Sequence, residues 1–312
     1  MNGKKGDKME ETILTGETIL DRTIELLETH GAQRARLFLE EHRLTAQTQC
    51  PAQTANFRAC LAALCGEREQ AIGILEKAIE QDGLWYRPAA FEDDDLASLW
   101  GDERFEALRR ISNARYEQAL KAEKPWFSLT ERRAPDLLIA LHGNQQTDRH
   151  AAADWGCLET HGLQVEYLRS GEPDAAGIYR WETDGAGDEA LMRAVARAYQ
   201  LGFQRVFAGG FSAGCDVILR ALFKGMRLDG AALVAPWLPC LGGKKGGADP
   251  KPAKSVPMTV FAGSHDTDCL PCAERLCAVM RAQGGVCALH VVPGLGHVFP
   301  QGIQTHLKDF FA

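Results

Sequence analysis

The residue most suited to chemistry in this 312-residue chain is a serine set between small residues. Ser212 lies in Gly210-Phe211-Ser212-Ala213-Gly214, which follows an apolar run and precedes a helical pattern. Glycines there allow a sharp strand-to-helix turn that exposes the hydroxyl at the helix N-terminus, as a nucleophile requires. The alternative is an ordinary glycine turn in which Ser212 caps the helix. The strand before and the helix after favour the nucleophile.

A serine nucleophile needs a base, and the base needs an acid that orients it. His297 stands in a glycine-lined loop after the last apolar run, and Asp266 follows the preceding run. Two competitors stay open, namely Asp268 for the acid and His290, which lies inside a strand pattern, for the base. We predict a triad of Ser212, His297 and Asp266.

The third requirement is a pair of N–H donors for the oxyanion of an acyl-transfer intermediate. The N–H of Ala213, directly after the nucleophile, is one predicted donor. The other is the N–H of Asn144 or that of Gly143, because an apolar run enters His142-Gly143 just before them. The alternative for His142-Gly143 is a plain turn at a strand end.

The elements that must position these residues alternate in the C-terminal half. Near-continuous apolar runs are typical of a parallel sheet covered on both faces, and helical patterns separate them. The predicted strands are 136–141, 164–168, 205–208, 231–234, 258–262 and 287–292, and the predicted helices are 188–200, 213–223, 271–282 and 303–310. The fold class is therefore α/β, with a mostly parallel, doubly covered sheet.

The N-terminal half shows helical spacing only. The predicted helices are 18–28, 32–42, 56–65, 68–80, 94–99 and 102–119. Pro125 follows a polar stretch and stops a helix. The predicted organisation is a flexible terminus (1–16), a helical domain (17–124) and an α/β domain (125–312).

Two resemblances follow from these residues. Ala71, Leu75 and Ala78, with Gly83 beyond them, resemble the second helix of a tetratricopeptide-type repeat. Residues 136–312 resemble an α/β-hydrolase of the phospholipase/carboxylesterase group through Leu141-His142-Gly143, the serine turn, Asp266 and Gly296-His297. The second resemblance implies hydrolysis of esters or thioesters through an acyl-enzyme, without a metal or organic cofactor. Its runner-up is a peptidase similar to the prolyl-oligopeptidase group.

Substrate determinants are fewer. Four residues are candidates for the substrate pocket: His142, Trp181, Trp237 and Phe299. For the last three, the alternative is a plain role in the core. The polar run that begins at Asn144 argues against a long-chain lipid, so short to medium acyl chains are expected. The segment 238–257 is too short for a helical lid, and we expect an open pocket or one covered by the helical domain. Its lysines (Lys244, Lys245, Lys251 and Lys254, against Asp249) are either a solvated loop or an attraction for an anionic substrate.

Composition limits the remaining classes. The net charge of −7 argues against a nucleic-acid partner, and no apolar run is long enough to span a membrane. Ten cysteines without a recognisable signal segment predict a cytoplasmic protein with reduced thiols. Cys269 and Cys272, just after the predicted acid, are a hypothetical redox control. The helical array is expected to bind a protein partner, to self-associate or to wall the active site; a binding module that carries a hydrolase fold is the alternative to an enzyme.

Overall fold

Six apolar runs of the C-terminal half form the predicted parallel strands in the computed structural model, which describes residues 14–181, 185–242 and 251–311. The strands of this unit are β1 (Trp126–Phe127), β2 (Asp136–Leu141), β3 (Gln164–Arg169), β4 (Glu172–Ala175), β5 (Ile178–Arg180), β6 (Arg205–Phe211), β7 (Gly230–Val234), β8 (Met258–Gly263) and β9 (Cys287–Val292). In the described residues, seven form one sheet in the order β1-β3-β2-β6-β7-β8-β9, with β1 antiparallel to β3. The fold-class prediction is confirmed.

Apolar side chains cover both faces of this sheet. Leu137, Ile139 and Leu141 point to one face of β2, and Leu138 and Ala140 point to the other. The helices of this unit, numbered after those of the N-terminal half, are α7 (Asp148–Trp155), α8 (Ala186–Gln200), α9 (Ala213–Phe223), α10 (Cys269–Ala282) and α11 (Gln304–Phe311). The first face packs against α8, α9 and α10, and the second against α7 and α11. Burial on both faces explains why the strands are apolar almost throughout.

The N-terminal half is helical. Its helices are α1 (Gly16–His30), α2 (Ala32–Glu41), α3 (Arg43–Gln49), α4 (Pro51–Leu64), α5 (Arg68–Glu76) and α6 (Glu103–Ala122). Helix α1 packs on α2, and α4 packs on α5 through a turn at Gly66, whose φ of 80° favours glycine. Ala71, Leu75 and Ala78, which carry the repeat resemblance, are buried. The chain divides into units Met1–Gln118 and Ala119–Ala312, so the division falls in the last turns of α6.

Several elements differ from the predictions. The predicted helix 68–80 is an α-helix only to Glu76 and continues as a π-helical turn, Lys77–Gln81. The segment Asp94–Leu99 is a 3₁₀ helix. Helices α3 and α7, strand β1 and the hairpin of β4 and β5 were not predicted. The proposed flexible terminus lies almost wholly outside the described residues, as do Lys244, Lys245 and Asp249.

The length and hydropathy of the helices bear on membrane crossing. Among the described residues, no helix combines the length and the apolar character that a bilayer span requires.

Candidate active site

Ser212 occupies the sharp turn between β6 and α9. Its φ of 51° and ψ of −119° lie outside the ordinary regions for an L-residue, and its side chain makes no cap hydrogen bond to the helix. The flanking glycines are required by close backbone approach: a Cβ on Gly210 would lie 2.8 Å from the nitrogen of Cys215, and one on Gly214 would lie 2.7 Å from the carbonyl oxygen of His142. Strain of this kind concentrates at functional sites. The geometry opposes the alternative of a capping serine.

The structure brings Ser212, His297 and Asp266 into one line of hydrogen bonds. The Ser212 Oγ lies 3.0 Å from His297 Nε2, and His297 Nδ1 lies 2.8 Å from Asp266 Oδ2. Asp266 is 5% exposed, and its second oxygen accepts the Cys269 N–H at 3.0 Å. Burial raises the pKa of the Asp266 carboxyl, but the hydrogen bonds from His297 and the Cys269 N–H outweigh it and hold that pKa below its usual range. An ionised Asp266 can only accept, so Nδ1 carries the proton and Nε2 faces the serine as a base.

The loops that carry the acid and the base are joined to each other. His265 N–H donates to the Leu295 carbonyl at 2.9 Å, and Ser264 N–H donates to that of Val292 at 2.9 Å. At the end of β8, Gly263 allows the two loops to touch, because any Cβ there would overlap the Leu295 carbonyl oxygen. The position of His297 therefore depends on backbone contacts between two neighbouring strands.

The competing residues lie elsewhere. Asp268 is exposed at the start of α10, and the His297 ring is hydrogen-bonded to Asp266 instead. His290 is on β9 with its ring stacked on Phe261 at 4.6 Å, and burial together with His306 lowers its pKa. Neither is part of the hydrogen-bonded line.

The predicted oxyanion donors differ in availability. Ala213 is the first residue of α9, and helix geometry leaves its N–H without an intrahelical acceptor. The Gly143 N–H donates to the side-chain oxygen of Gln146 at 2.8 Å. The Asn144 N–H has no acceptor among the described residues. Of the two alternatives for the second donor, the structure favours Asn144.

The loop that carries Asn144 is held on the β4–β5 hairpin. Gln145 N–H donates to the Tyr179 carbonyl at 2.8 Å, and Tyr179 N–H returns a bond to Gln146 at 3.0 Å. The Asn144 side-chain oxygen accepts the Trp181 N–H at 2.8 Å. Gln145 has a φ of 60°, so the loop is bent tightly at this point. Sequence reasoning missed Gln146 and the hairpin, although the polar run itself was the available signal.

Two predicted pocket residues are instead buried supports of this loop. His142 has no exposed surface, its Nε2 accepts the Ser170 N–H at 3.1 Å, and its Nδ1 therefore donates to the Gly143 carbonyl at 2.6 Å. Burial lowers the pKa of His142 to about 4, which keeps the ring neutral. Trp181 is 3% exposed, stacks on His142 and donates its indole N–H to the His142 carbonyl at 2.7 Å. The prediction that these rings line the pocket is corrected, because a buried ring offers no surface to a substrate.

The other two predicted pocket residues have different surroundings. Trp237 is 40% exposed, and its N–H donates to the Ser212 carbonyl at 3.3 Å, so its backbone adjoins the nucleophile. Phe299 is half-buried and packs edge-on against Trp155, with Phe211 also near. Both remain predictions as pocket walls.

The cysteine pair after the acid is asymmetric. Cys269 is buried, and its sulfur lies 3.4 Å from His297 Nδ1, whereas Cys272 is half-buried. Burial and the neighbouring Asp266 raise the pKa of the Cys269 thiol far above its usual range. A thiol in that state is a poor nucleophile, which disfavours the redox hypothesis for this pair.

Comparison with known proteins supports the fold. Residues 15–120 match the family model described as "A/B hydrolase-like, N-terminal domain". An uncharacterized protein from Bacillus cereus ATCC 10987 is 26% identical, with a TM-score of 0.52, over 95% of this chain and 98% of that one. No curated protein sequence matches the chain. The helical N-terminal half is thus similar to the N-terminal domain of A/B hydrolase-like proteins, and a mostly parallel α/β sheet follows it.

More distant structures resemble the C-terminal part. A phospholipase/carboxylesterase from Dyadobacter fermentans DSM 18053 is 15% identical over 61% of this chain and 96% of that one, with a TM-score of 0.48. Zea mays acyl-protein thioesterase 2 is 18% identical over 60% of this chain and 97% of that one, with a TM-score of 0.43. These likenesses are too low to carry a conclusion about activity.

Proposed function

We propose that the protein is a serine hydrolase that cleaves carboxylic esters or thioesters through an acyl-enzyme. The observation that carries the proposal is the continuous line from Ser212 Oγ through His297 to the buried Asp266, with contacts of 3.0 and 2.8 Å. Such a line activates a hydroxyl that is otherwise a weak nucleophile.

In each half-reaction His297 acts first as a base and then as an acid. His297 Nε2 takes the hydroxyl proton as Ser212 attacks the substrate carbonyl, and Asp266 stabilises the imidazolium and fixes its orientation. The N–H groups of Ala213 and Asn144 bind the oxyanion. His297 then protonates the leaving alcohol or thiol and activates water, which releases the acyl group from Ser212.

The proposed substrates have short to medium acyl chains. The polar loop Asn144-Gln145-Gln146-Thr147 lies beside the nucleophile, where a long apolar chain would gain little from burial. Trp237, with its exposed indole, is the proposed apolar wall. The attraction of an anionic substrate by Lys244 and Lys245 remains a hypothesis, because both lie outside the described residues.

Hydrolysis of p-nitrophenyl esters from acetate to long acyl chains tests the proposal, with wild type beside Ser212→Ala. We expect turnover of the shorter esters that is lost in the variant. Equal rates in the two proteins would contradict a serine mechanism. Turnover of peptide amides but of no ester would replace it with the peptidase alternative, which no contact in the described residues favours.

Two further proposals concern the cellular setting and a protein partner. The described cysteines are all free thiols, which suits the proposed cytoplasmic location. Recruitment of a protein partner by the helical unit is proposed from the resemblance of that unit to a tetratricopeptide-type repeat. Co-purification of tagged full-length protein, with exposed helix residues such as Leu37 and Leu44 replaced by Lys, would test it.

A further inference from the structure

Three different metal-ligating side chains converge beside the proposed nucleophile. They are the Asp266 carboxylate, the Cys269 thiol and Nδ1 of the His297 ring, whose ligand atoms all lie within 4.8 Å of one another. Among the residues that the structure describes, this is the sole group of three such side chains. The contact between Cys269 and His297 is not needed for the proposed hydrolysis, since Asp266 already orients the ring.

The two separations measured from the His297 ring are close to those around a small tetrahedral ion. Bonds of about 2.3 Å to sulfur and about 2.0–2.1 Å to nitrogen or oxygen place tetrahedral ligands about 3.6 Å apart for sulfur and nitrogen, and about 3.3 Å apart for nitrogen and oxygen. The observed distances from Nδ1 are 3.4 Å to the Cys269 sulfur and 2.8 Å to the Asp266 oxygen. These two separations therefore fall short of the tetrahedral values by only about 0.2 Å and 0.5 Å, and the third, between sulfur and the carboxylate, is no more than 4.8 Å.

The surroundings supply an entrance and favour a particular ion. Asp266 and Cys269 are buried, but the His297 side chain is 43% exposed, so an ion and its fourth ligand, a water, can enter from the ring side. A thiolate, an imidazole and a carboxylate together are a ligand set that binds Zn²⁺ and discriminates against Mg²⁺ and Ca²⁺.

We propose that Asp266, Cys269 and His297 form an inhibitory site for Zn²⁺ or a similar borderline-soft divalent ion. Binding releases the Cys269 thiol proton to solvent, and the His297 proton moves from Nδ1 to Nε2 through solvent exchange, so that sulfur and Nδ1 each offer a lone pair. Asp266 is already ionised. With its proton on Nε2, His297 can no longer accept the proton of Ser212. The site itself does not depend on the reaction, whereas the inhibition rests on the proposed function.

The direct test is Co²⁺ titration of the full-length Ser212→Ala protein, which keeps all three ligands and requires no activity. We expect one Co²⁺ per chain and a thiolate-to-cobalt charge-transfer band that Zn²⁺ displaces. Cys269→Ser should lose the band, and Cys272→Ser, three residues away on the same helix, should keep it. A band that survives in Cys269→Ser, or that is absent from the parent, would overturn the site.

Inhibition is measured separately on the active protein. Zn²⁺ should inhibit ester hydrolysis reversibly, with recovery on chelation. Cys269→Ser should raise the inhibition constant by at least about tenfold, because even mutation of a residue that only supports a metal ligand lowers metal affinity by that factor or more. An unchanged constant would mean that zinc binds elsewhere. His297→Gln provides a second binding variant at an exposed side chain, and circular dichroism of each metal-free variant checks its fold. A wild-type protein that hydrolyses no ester, with a cobalt band still present in Ser212→Ala, would refute the proposed function and retain the metal site.

Discussion

Replacing Gly263 by alanine tests whether the base is positioned by contact between the two catalytic loops. A Cβ at Gly263 would lie 2.1 Å from the Leu295 carbonyl oxygen and 2.5 Å from that of Gly296. Because real Cβ atoms essentially never approach a neighbour closer than 3.0 Å, the end of β8 and the His297 loop must separate by at least 0.9 Å. The colliding atoms are backbone, so no side-chain rotation can absorb the shift.

The displacement acts directly on the hydrogen bonds of His297. A misplacement of about 1 Å costs on the order of 100-fold in rate. We expect kcat/KM of Gly263→Ala for p-nitrophenyl acetate to fall by about that factor, mainly through kcat, because the substrate-binding groups do not move. The free energy of unfolding should fall by about 1–3 kcal/mol, as is usual for an overpacked core.

The matched control is Gly296→Ala in the same loop. A Cβ at Gly296 meets nothing within 4 Å, and its φ lies outside the left-handed region. This variant should keep wild-type kinetics, and both proteins should be assayed at equal folded concentration. If Gly263→Ala retained activity within threefold of Gly296→Ala, loop contact would not position His297 and the reasoning would fail.

Three further predictions concern single side chains. Asp266→Asn should lower kcat by about 10⁴-fold, as loss of the orienting acid does in other triads, whereas Asp268→Asn should stay within twofold; comparable losses would reopen the choice of acid. The pKa of His142 is about 4 in the fold and 6.5 when exposed, so protonation favours the unfolded chain and the free energy of unfolding falls as pH drops from 6.5 to 4. Between pH 8 and pH 5 this loss is about 2 kcal/mol. Urea unfolding should show the loss in the wild type and not in His142→Gln. Trp181→Phe should cost about 1–3 kcal/mol, because the buried His142 carbonyl loses its indole donor, while Trp237→Phe, at an exposed site, should leave the urea midpoint unchanged.

The catalytic elements were predictable because their sequence signals are local. Strands β2 and β9 and helix α9 have the predicted bounds, since parallel strands buried on both faces give continuous apolar runs and glycine punctuates their ends. The turn at Ser212 was predictable for the same reason, because Gly210 and Gly214 are needed where backbone approaches backbone. Each signal lies within a few residues of the feature that it specifies.

The unpredicted elements lack such signals or were misread. Strand β1 is only two residues long, and β4 contains Glu172, Pro173 and Asp174, a composition that strands usually avoid. Helix α7 begins with a capping box between Thr147 and His150, but the usual sequence signature has Glu or Gln at the last position, and the polar first turn resembles a loop. These misses matter because the β4–β5 hairpin holds the loop of Asn144.

The roles of buried polar rings depend on tertiary contacts that spacing does not encode. Trp181 lies 39 residues from His142, and its stacking follows from where the hairpin lies against β2. The convergence of Asp266 and His297, by contrast, follows from the pairing of the strands that precede them. Parallel pairing of Gly263 with Val292 puts the two loops side by side, so an acid three residues beyond one strand and a histidine five beyond the other must approach each other. Once β8 and β9 are neighbours, the acid–base contact follows from register alone, and the same register brings Cys269, at the start of the next helix, against the ring.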